Sequence, residues 1–122
     1  MPSPRKILLV DDSELVRALV AHALQSSGFA ITTIDDPSGL ADALSREPPE
    51  LVLVDATFPG TDENRLVELV APHASSFPIL VFSDRPEVET TALAVRMGAA
   101  GTVPKDDVTR LPGRLEEFFA RA

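Results

Sequence analysis

The sequence predicts an α/β fold, a doubly wound (βα)5 domain with a five-stranded parallel sheet. Three observations carry this. Short, nearly continuous apolar runs alternate with helix-like segments five times along the chain. The runs have the character of strands buried on both faces, which requires helices on both sides of a parallel sheet. The 122 residues hold no linker, repeat or low-complexity tract, so a single domain spanning residues 1–122 is expected, long enough to bury one real core.

Each element follows from local pattern. Residues 6–10, Lys-Ile-Leu-Leu-Val, form the first strand. Over residues 13–27, Leu15, Val16, Leu19, Val20, Ala23 and Leu24 recur at helical spacing, and Gly28 suits a helix C-terminal cap. Residues 29–34 make the second strand. Asp36-Pro37 opens the second helix, because Asp caps free amide donors and proline fits a first turn that needs no N–H partner. Leu40, Ala43 and Leu44 give that helix its apolar stripe, and Pro48-Pro49 end it. Residues 51–54 are the third and most hydrophobic strand. A loop through Pro59-Gly60 leads to a helix carrying Leu66, Val67, Leu69 and Val70. The fourth strand covers 78–82, the fourth helix 87–97 with Gly98 closing it, and the fifth strand 101–103. A last helix over 111–120 turns Leu115, Phe118 and Phe119 inward.

Composition narrows the function classes. The formal net charge of -8 argues against nucleic-acid binding, which leaves a basic patch or stripe. Part of the negative charge belongs either to a cation site or to a solubilising surface. The longest apolar runs, such as residues 7–10, are far too short to span a bilayer. Arg5 and Lys6 precede no long apolar stretch, so no signal peptide is expected. With no cysteine there is no disulfide framework and no thiolate site. A cytoplasmic location is the expectation.

Ligands of open α/β sheets bind at the carboxyl ends of the strands. Asp11 and Asp12 follow the first strand, Asp55 the third, Ser83 and Asp84 the fourth, and Lys105 the fifth. Three carboxylates at one sheet end repel one another unless a cation sits among them, and hard oxygen ligands suit Mg2+. Such an ion neutralises both an aspartate nucleophile and an incoming phosphoryl group. An ammonium and a hydroxyl opposite it take the remaining phosphoryl oxygens. Taken singly, each residue has a plainer reading: Asp11-Asp12 as a cap for the first helix, Asp55 as a turn residue, Ser83 as a cap for the fourth helix, Lys105 as a solvated lysine. Their joint placement on successive strand ends favours the chemical one. His22 and His73 fall on expected helices away from this cluster, and Met97 reads as packing.

Ile7-Leu8-Leu9-Val10-Asp11-Asp12-Ser13, Leu51-Val52-Leu53-Val54-Asp55 with Pro59-Gly60, Ser83, and Met97-Gly98-Ala99-Ala100-Gly101 running into Lys105 together resemble a response-regulator receiver domain of the chemotaxis type. The resemblance covers essentially the whole chain. It implies the flavodoxin-like strand order 2-1-3-4-5. It implies that Asp55 is the phosphoacceptor, that Asp11, Asp12, Asp55 and the Thr57 backbone carbonyl hold Mg2+, and that Ser83 and Lys105 bind phosphoryl oxygens. It further implies a histidine kinase or phosphotransfer protein as donor, an output face on the fourth helix, fifth strand and fifth helix, and phosphorylation-linked homodimerisation.

Several positions depart from the family pattern. Asp106 follows Lys105 where a cis proline is usual, and Pro104 precedes it, so the loop should differ. Asp84 replaces a small residue beside Ser83, either approaching the phosphoryl pocket or pointing outward as a helix cap. Thr102 stands where an aromatic switch residue is common, so output is expected to use helix or loop shifts. Glu63 replaces a glycine after Asp62. These departures motivate an alternative, a pseudo-receiver that binds partners without phosphorylation. A phosphohydrolase using Asp55 as covalent nucleophile would need a cap region for which the chain has no spare residues. No G-x-G-x-x-G motif points to a nucleotide.

Overall fold

In a computed structural model, which describes residues 3–122, five parallel strands form one sheet in the order β2-β1-β3-β4-β5. Met1 and Pro2 of the expected domain lie outside the described residues. The strands are β1 (Lys6–Val10), β2 (Ala30–Ile34), β3 (Leu51–Asp55), β4 (Ile79–Ser83) and β5 (Gly101–Pro104). The helices are α1 (Glu14–Ser26), α2 (Leu40–Arg46), α3 (Glu63–Val70), α4 (Glu87–Met97) and α5 (Leu111–Arg121). The expected fold class and strand order are those of the structure, with boundaries differing by a residue or two.

Alternation along the buried strands sends side chains to two cores. Val52 and Val54 pack with Leu8, Leu66 and Met97, the layer that holds α2, α3 and α4. Leu51 and Leu53 pack with Leu9, Val20, Phe82 and Leu115, the layer of α1 and α5. Phe118 and Phe119 are only partly buried against this second layer. The α1 stripe is wider than its buried face: Val20 and Leu24 are buried, whereas Leu15 is 68% exposed.

Local chemistry sets the element ends. Ser13 caps α1, its hydroxyl accepting from the Val16 amide, so the cap falls to Ser13 rather than to the preceding aspartates. Asp36 accepts from the Ser38 amide and opens a 3-10 turn, Pro37–Gly39, that runs into α2. His73 lies in a second 3-10 turn, Ala71–His73, after α3. Gly98 adopts φ 71°, and the amides of Gly98 and Ala99 bond back to Val95 and Ala94, a close that favours glycine. Pro104 ends the edge strand β5, where a missing N–H removes no ladder bond needed on the solvent side.

Beyond β5 the chain departs from a proline-fixed turn, as expected from Asp106. All peptide bonds among the described residues are trans. Arg114 of α5 instead closes the loop: Nη1 donates to Asp106 Oδ1 at 2.7 Å and Nη2 to Oδ2 at 3.2 Å. The Arg114 hydrogen bond pushes the Asp106 carboxyl down to about 2 from 3.8. Because the folded pKa is depressed, the pairing is fully present above 3.8 and lost as the pH falls through about 2. A carboxyl NMR titration should therefore place the Asp106 midpoint near 2, returning toward 3.8 in Arg114→Ala. An unchanged midpoint in the variant would show that Arg114 does not hold the loop.

Candidate functional site

The sheet order places β1 beside both β2 and β3, so the chain leaves β1 and β3 toward opposite faces and opens a crevice at their carboxyl ends. Register then levels the polar residues. Val10 pairs with Val54, Asp55 with Phe82, and Ser83 with Pro104, while the Lys105 amide donates to the Ser83 carbonyl at 2.9 Å. Asp11, Asp55, Ser83 and Lys105 thus come to one rim of the sheet.

Asp11 is fully buried at 0% exposure and Asp55 nearly so at 7%. Asp11 Oδ1 accepts from the Ser13 amide at 2.9 Å, which turns the chain into α1. Asp55 Oδ1 accepts from the Ala56 amide at 2.7 Å. Lys105 Nζ bridges the two carboxylates, 2.6 Å from Asp11 Oδ2 and 3.1 Å from Asp55 Oδ1. Its approach to Asp11 Oδ2 is close but misaligned, so that buried oxygen has no aligned hydrogen-bond donor among the described residues. Asp12 is exposed at the crevice mouth.

Burial pushes the Asp55 carboxyl up; the positive charge of Lys105 opposes this and the charge of Asp11 reinforces it, leaving the pKa raised. For Lys105, burial works downward, but the close approach of Asp11 and the charge of Asp55 outweigh it, so its pKa is also raised. One ammonium facing three carboxylates leaves the crevice short of positive charge.

The donor set fits a hard divalent cation. Carboxylate oxygens of Asp11, Asp12 and Asp55 lie within 4.8 Å of one another, and Asp11 Oδ2 is buried without an aligned hydrogen-bond donor among the described residues. Thr57 follows Asp55 by two residues on an exposed loop. The loop closes in a tight turn, with Pro59 and then Gly60 at φ 79° between Phe58 and Thr61, whose amide bonds the Phe58 carbonyl at 3.1 Å.

Ser83 is buried, and its hydroxyl accepts from the Arg85 amide at 2.9 Å, keeping its own proton to donate. This bond shapes the turn before α4; the N-cap itself is Pro86, which has no side-chain bond. Asp84 is exposed and receives no hydrogen bond among the described residues, so it points outward without capping α4. Thr102 is half-buried and, with Ser83, Arg85, Thr90 and Val103, lines a cavity of about 320 Å³ between β5 and the start of α4.

Two arginines escaped sequence reasoning. Arg17 Nη1 donates to the Asp11 backbone carbonyl at 2.8 Å. Arg85 Nε donates to Thr57 Oγ1 at 3.1 Å, and its Nη1 lies 3.7 Å from Glu63 Oε1. Glu63 is shared with Arg96 of α4 at 2.6 Å. The only signal in the sequence was an arginine shortly after a strand end, which is too common to single out. His22 and His73 lie on α1 and in the turn after α3 and take no part in the cluster.

Comparison with known proteins agrees with this geometry. A family model described as the response regulator receiver domain matches residues 7–116. The transcriptional regulatory protein FixJ of Bradyrhizobium diazoefficiens is 30% identical over 125 residues, an alignment covering 100% of this chain and 60% of FixJ. The response regulator MprA of Mycolicibacterium vanbaalenii is 28% identical over 118 residues, covering 97% of this chain and 48% of MprA. The chain therefore spans about half the length of these relatives. The crystal structure of full-length FixJ from B. japonicum superposes with a TM-score of 0.79 at 27% identity, over 98% of this chain and 60% of that one. The chemotaxis response regulator CheY4 of Vibrio cholerae shares the fold, with a TM-score of 0.76 at 24% identity, covering 97% of this chain and 98% of that one. The chain belongs to the response regulator receiver domain family of two-component systems.

Proposed function

We propose that this receiver accepts a phosphoryl group on Asp55 from a histidine kinase or phosphotransfer protein and uses it to switch a protein-binding face. The observation that carries this reading is the Lys105 bridge between the buried Asp11 and Asp55 carboxylates at the switch point of the sheet. An Asp55 oxygen attacks the phosphorus of a phosphohistidine; the O–P bond forms as the P–N bond breaks, and the histidine nitrogen leaves with that electron pair. Lys105, already beside Asp55, follows the new charge onto a phosphoryl oxygen, and the Ser83 hydroxyl donates to another. The Asp11, Asp12 and Asp55 carboxylates and the Thr57 carbonyl would hold Mg2+, which would supply charge neutralisation at the acceptor and the phosphoryl group. Water attack on the phosphorus later releases inorganic phosphate and restores the carboxylate, so the chemistry is confined to the protein's own side chain.

The output face is α4, β5 and α5, which lies against Ser83 and Lys105 and carries the exposed Val88 and Val95 of α4. With Thr102 in place of an aromatic, the shift travels through helix and loop positions. Residues 1–122 act as one domain in the cytoplasm, with no nucleic-acid contact of their own and with a homodimer as one form of the switched state. Among the described residues no helix is long and apolar enough to cross a membrane.

Amide-resolved NMR with Mg2+ and then beryllofluoride, a phosphoryl mimic, tests the reading. Mg2+ should shift signals around Asp12, Asp55, Ser83 and Lys105. Beryllofluoride should add shifts reaching α4 and α5 that vanish in Asp55→Asn. A silent spectrum would favour the phosphorylation-independent interaction module.

A further inference from the structure

We propose that Arg85 is an additional ligand of the phosphoryl group on Asp55, drawn to it from Thr57 and Glu63. This rests on Asp55 being the phosphoacceptor. Arg85 follows β4 by two residues, and its side chain reaches across to Thr57, two residues beyond Asp55 on the neighbouring strand. Its guanidinium therefore spans the two loops that border the Asp55 end of the crevice. Its backbone amide holds the Ser83 hydroxyl, so side chain and main chain serve the same rim.

The present partners of Arg85 hold it weakly. The ion pair with Glu63 is 3.7 Å long and its side chains are 32% and 44% exposed, a pairing of little net strength. The Thr57 hydroxyl is a neutral acceptor on an exposed residue that water can satisfy. A phosphoryl group carries nearly two negative charges and three acceptor oxygens, for which a planar guanidinium is well matched. Departure of Arg85 does not strand Glu63, because Arg96 retains it at 2.6 Å. Arg17 cannot make the same exchange: it donates to the Asp11 backbone carbonyl at 2.8 Å in a partly buried position, and leaving would orphan that acceptor.

The exchange has a consequence for signalling. Arg85, Glu63 and Arg96 link the β4–α4 loop, the first turn of α3 and the last turn of α4. When Arg85 turns to the phosphoryl group, Glu63 passes wholly to Arg96, and the tie between α3 and α4 changes at the proposed output helix.

Equilibrium titrations of the full chain with Mg2+ alone and with beryllofluoride at saturating Mg2+ test this. Arg85→Ala should weaken beryllofluoride binding about tenfold, the loss of one charge-assisted hydrogen bond, and leave the affinity for Mg2+ alone unchanged. Arg85→Lys should fall between wild type and Arg85→Ala. Glu63→Gln, which removes the competitor, should tighten beryllofluoride binding about twofold. Unchanged beryllofluoride affinity in Arg85→Ala would overturn the proposal. Parallel loss of Mg2+ and beryllofluoride affinity would also overturn it, assigning Arg85 to holding the Thr57 loop. Failure of the wild type to bind beryllofluoride would reject the phosphoacceptor reading itself, and with it the ligand assigned to Arg85.

Discussion

Asp55→Asn is expected to lose phosphoryl acceptance completely and, in the same protein, to gain stability. The functional half follows from chemistry: an amide oxygen is not a nucleophile toward phosphorus as a carboxylate is. The stability half follows from burial. Asp55 is held nearly out of water beside a second buried carboxylate, and these two influences outweigh Lys105, so its ionised form is disfavoured in the fold. Asparagine keeps the oxygen that accepts from the Ala56 amide and removes the charge, while Lys105 retains Asp11. The gain should be about 1 kcal/mol at neutral pH, or roughly 4 °C in melting temperature.

The pH dependence has a definite sign. Asp55 has a raised folded pKa, so its favourable contribution is complete below 3.8 and lost as the pH rises through the folded value. The advantage of asparagine is therefore largest at neutral pH and fades in acid. Mg2+ should reverse the order, because wild type binds the ion more tightly and gains from mass action. Melting curves in chelator and in Mg2+ across this pH range, with phosphate labelling in parallel, check both halves. Equal melting in chelator at every pH would remove the electrostatic cost assigned to Asp55, and persistent labelling would reject it as acceptor.

Lys105→Met should have the opposite effect on the metal-free protein. Among the described residues Lys105 is the only cation that bridges the buried carboxylates, at 2.6 Å and 3.1 Å, and its removal leaves Asp11 and Asp55 uncompensated. Taking one partner from such a group destabilises by about 3 kcal/mol. The loss should shrink as the pH falls, because Asp55, already raised by burial, takes up a proton in place of the lost ammonium. Millimolar Mg2+ should restore more stability to this variant than to wild type, since the ion no longer competes with the ammonium for Asp11 and Asp55. Chemical unfolding with and without Mg2+ measures both. A variant as stable as wild type in chelator would show that Lys105 contributes no net stabilisation. Equal gains from Mg2+ would show that ion and ammonium do not compete.

Most of the fold was legible because strand and helix signals here are local and agree. Leu51 through Val54 can be little other than a strand buried on both faces, and Ser13, Gly28, Asp36-Pro37 and Gly98 mark ends through the chemistry of single residues. The sequence left matters open where a side chain had more than one place to go. Leu15 satisfies the helical repeat yet faces solvent, because periodicity fixes an angular position and not the width of the face that the sheet covers. Asp84 had the composition of a cap, but Pro86 took the cap position and left it outward.

The sequence by itself determined the order of strands and helices and the set of polar residues that end each strand, because both depend on residue types within a few positions of one another. It also marked Asp106 as a change in the last loop. Only the tertiary structure decided which oxygens Lys105 bridges, that Asp11 Oδ2 lacks an aligned hydrogen-bond donor among the described residues, and that Arg85 crosses to Thr57 while Glu63 joins it to Arg96. These are contacts between residues far apart in the chain, and long charged side chains reach several neighbours from one backbone position. Their partners are set by distances of a few ångströms across the crevice, which no spacing along the sequence encodes.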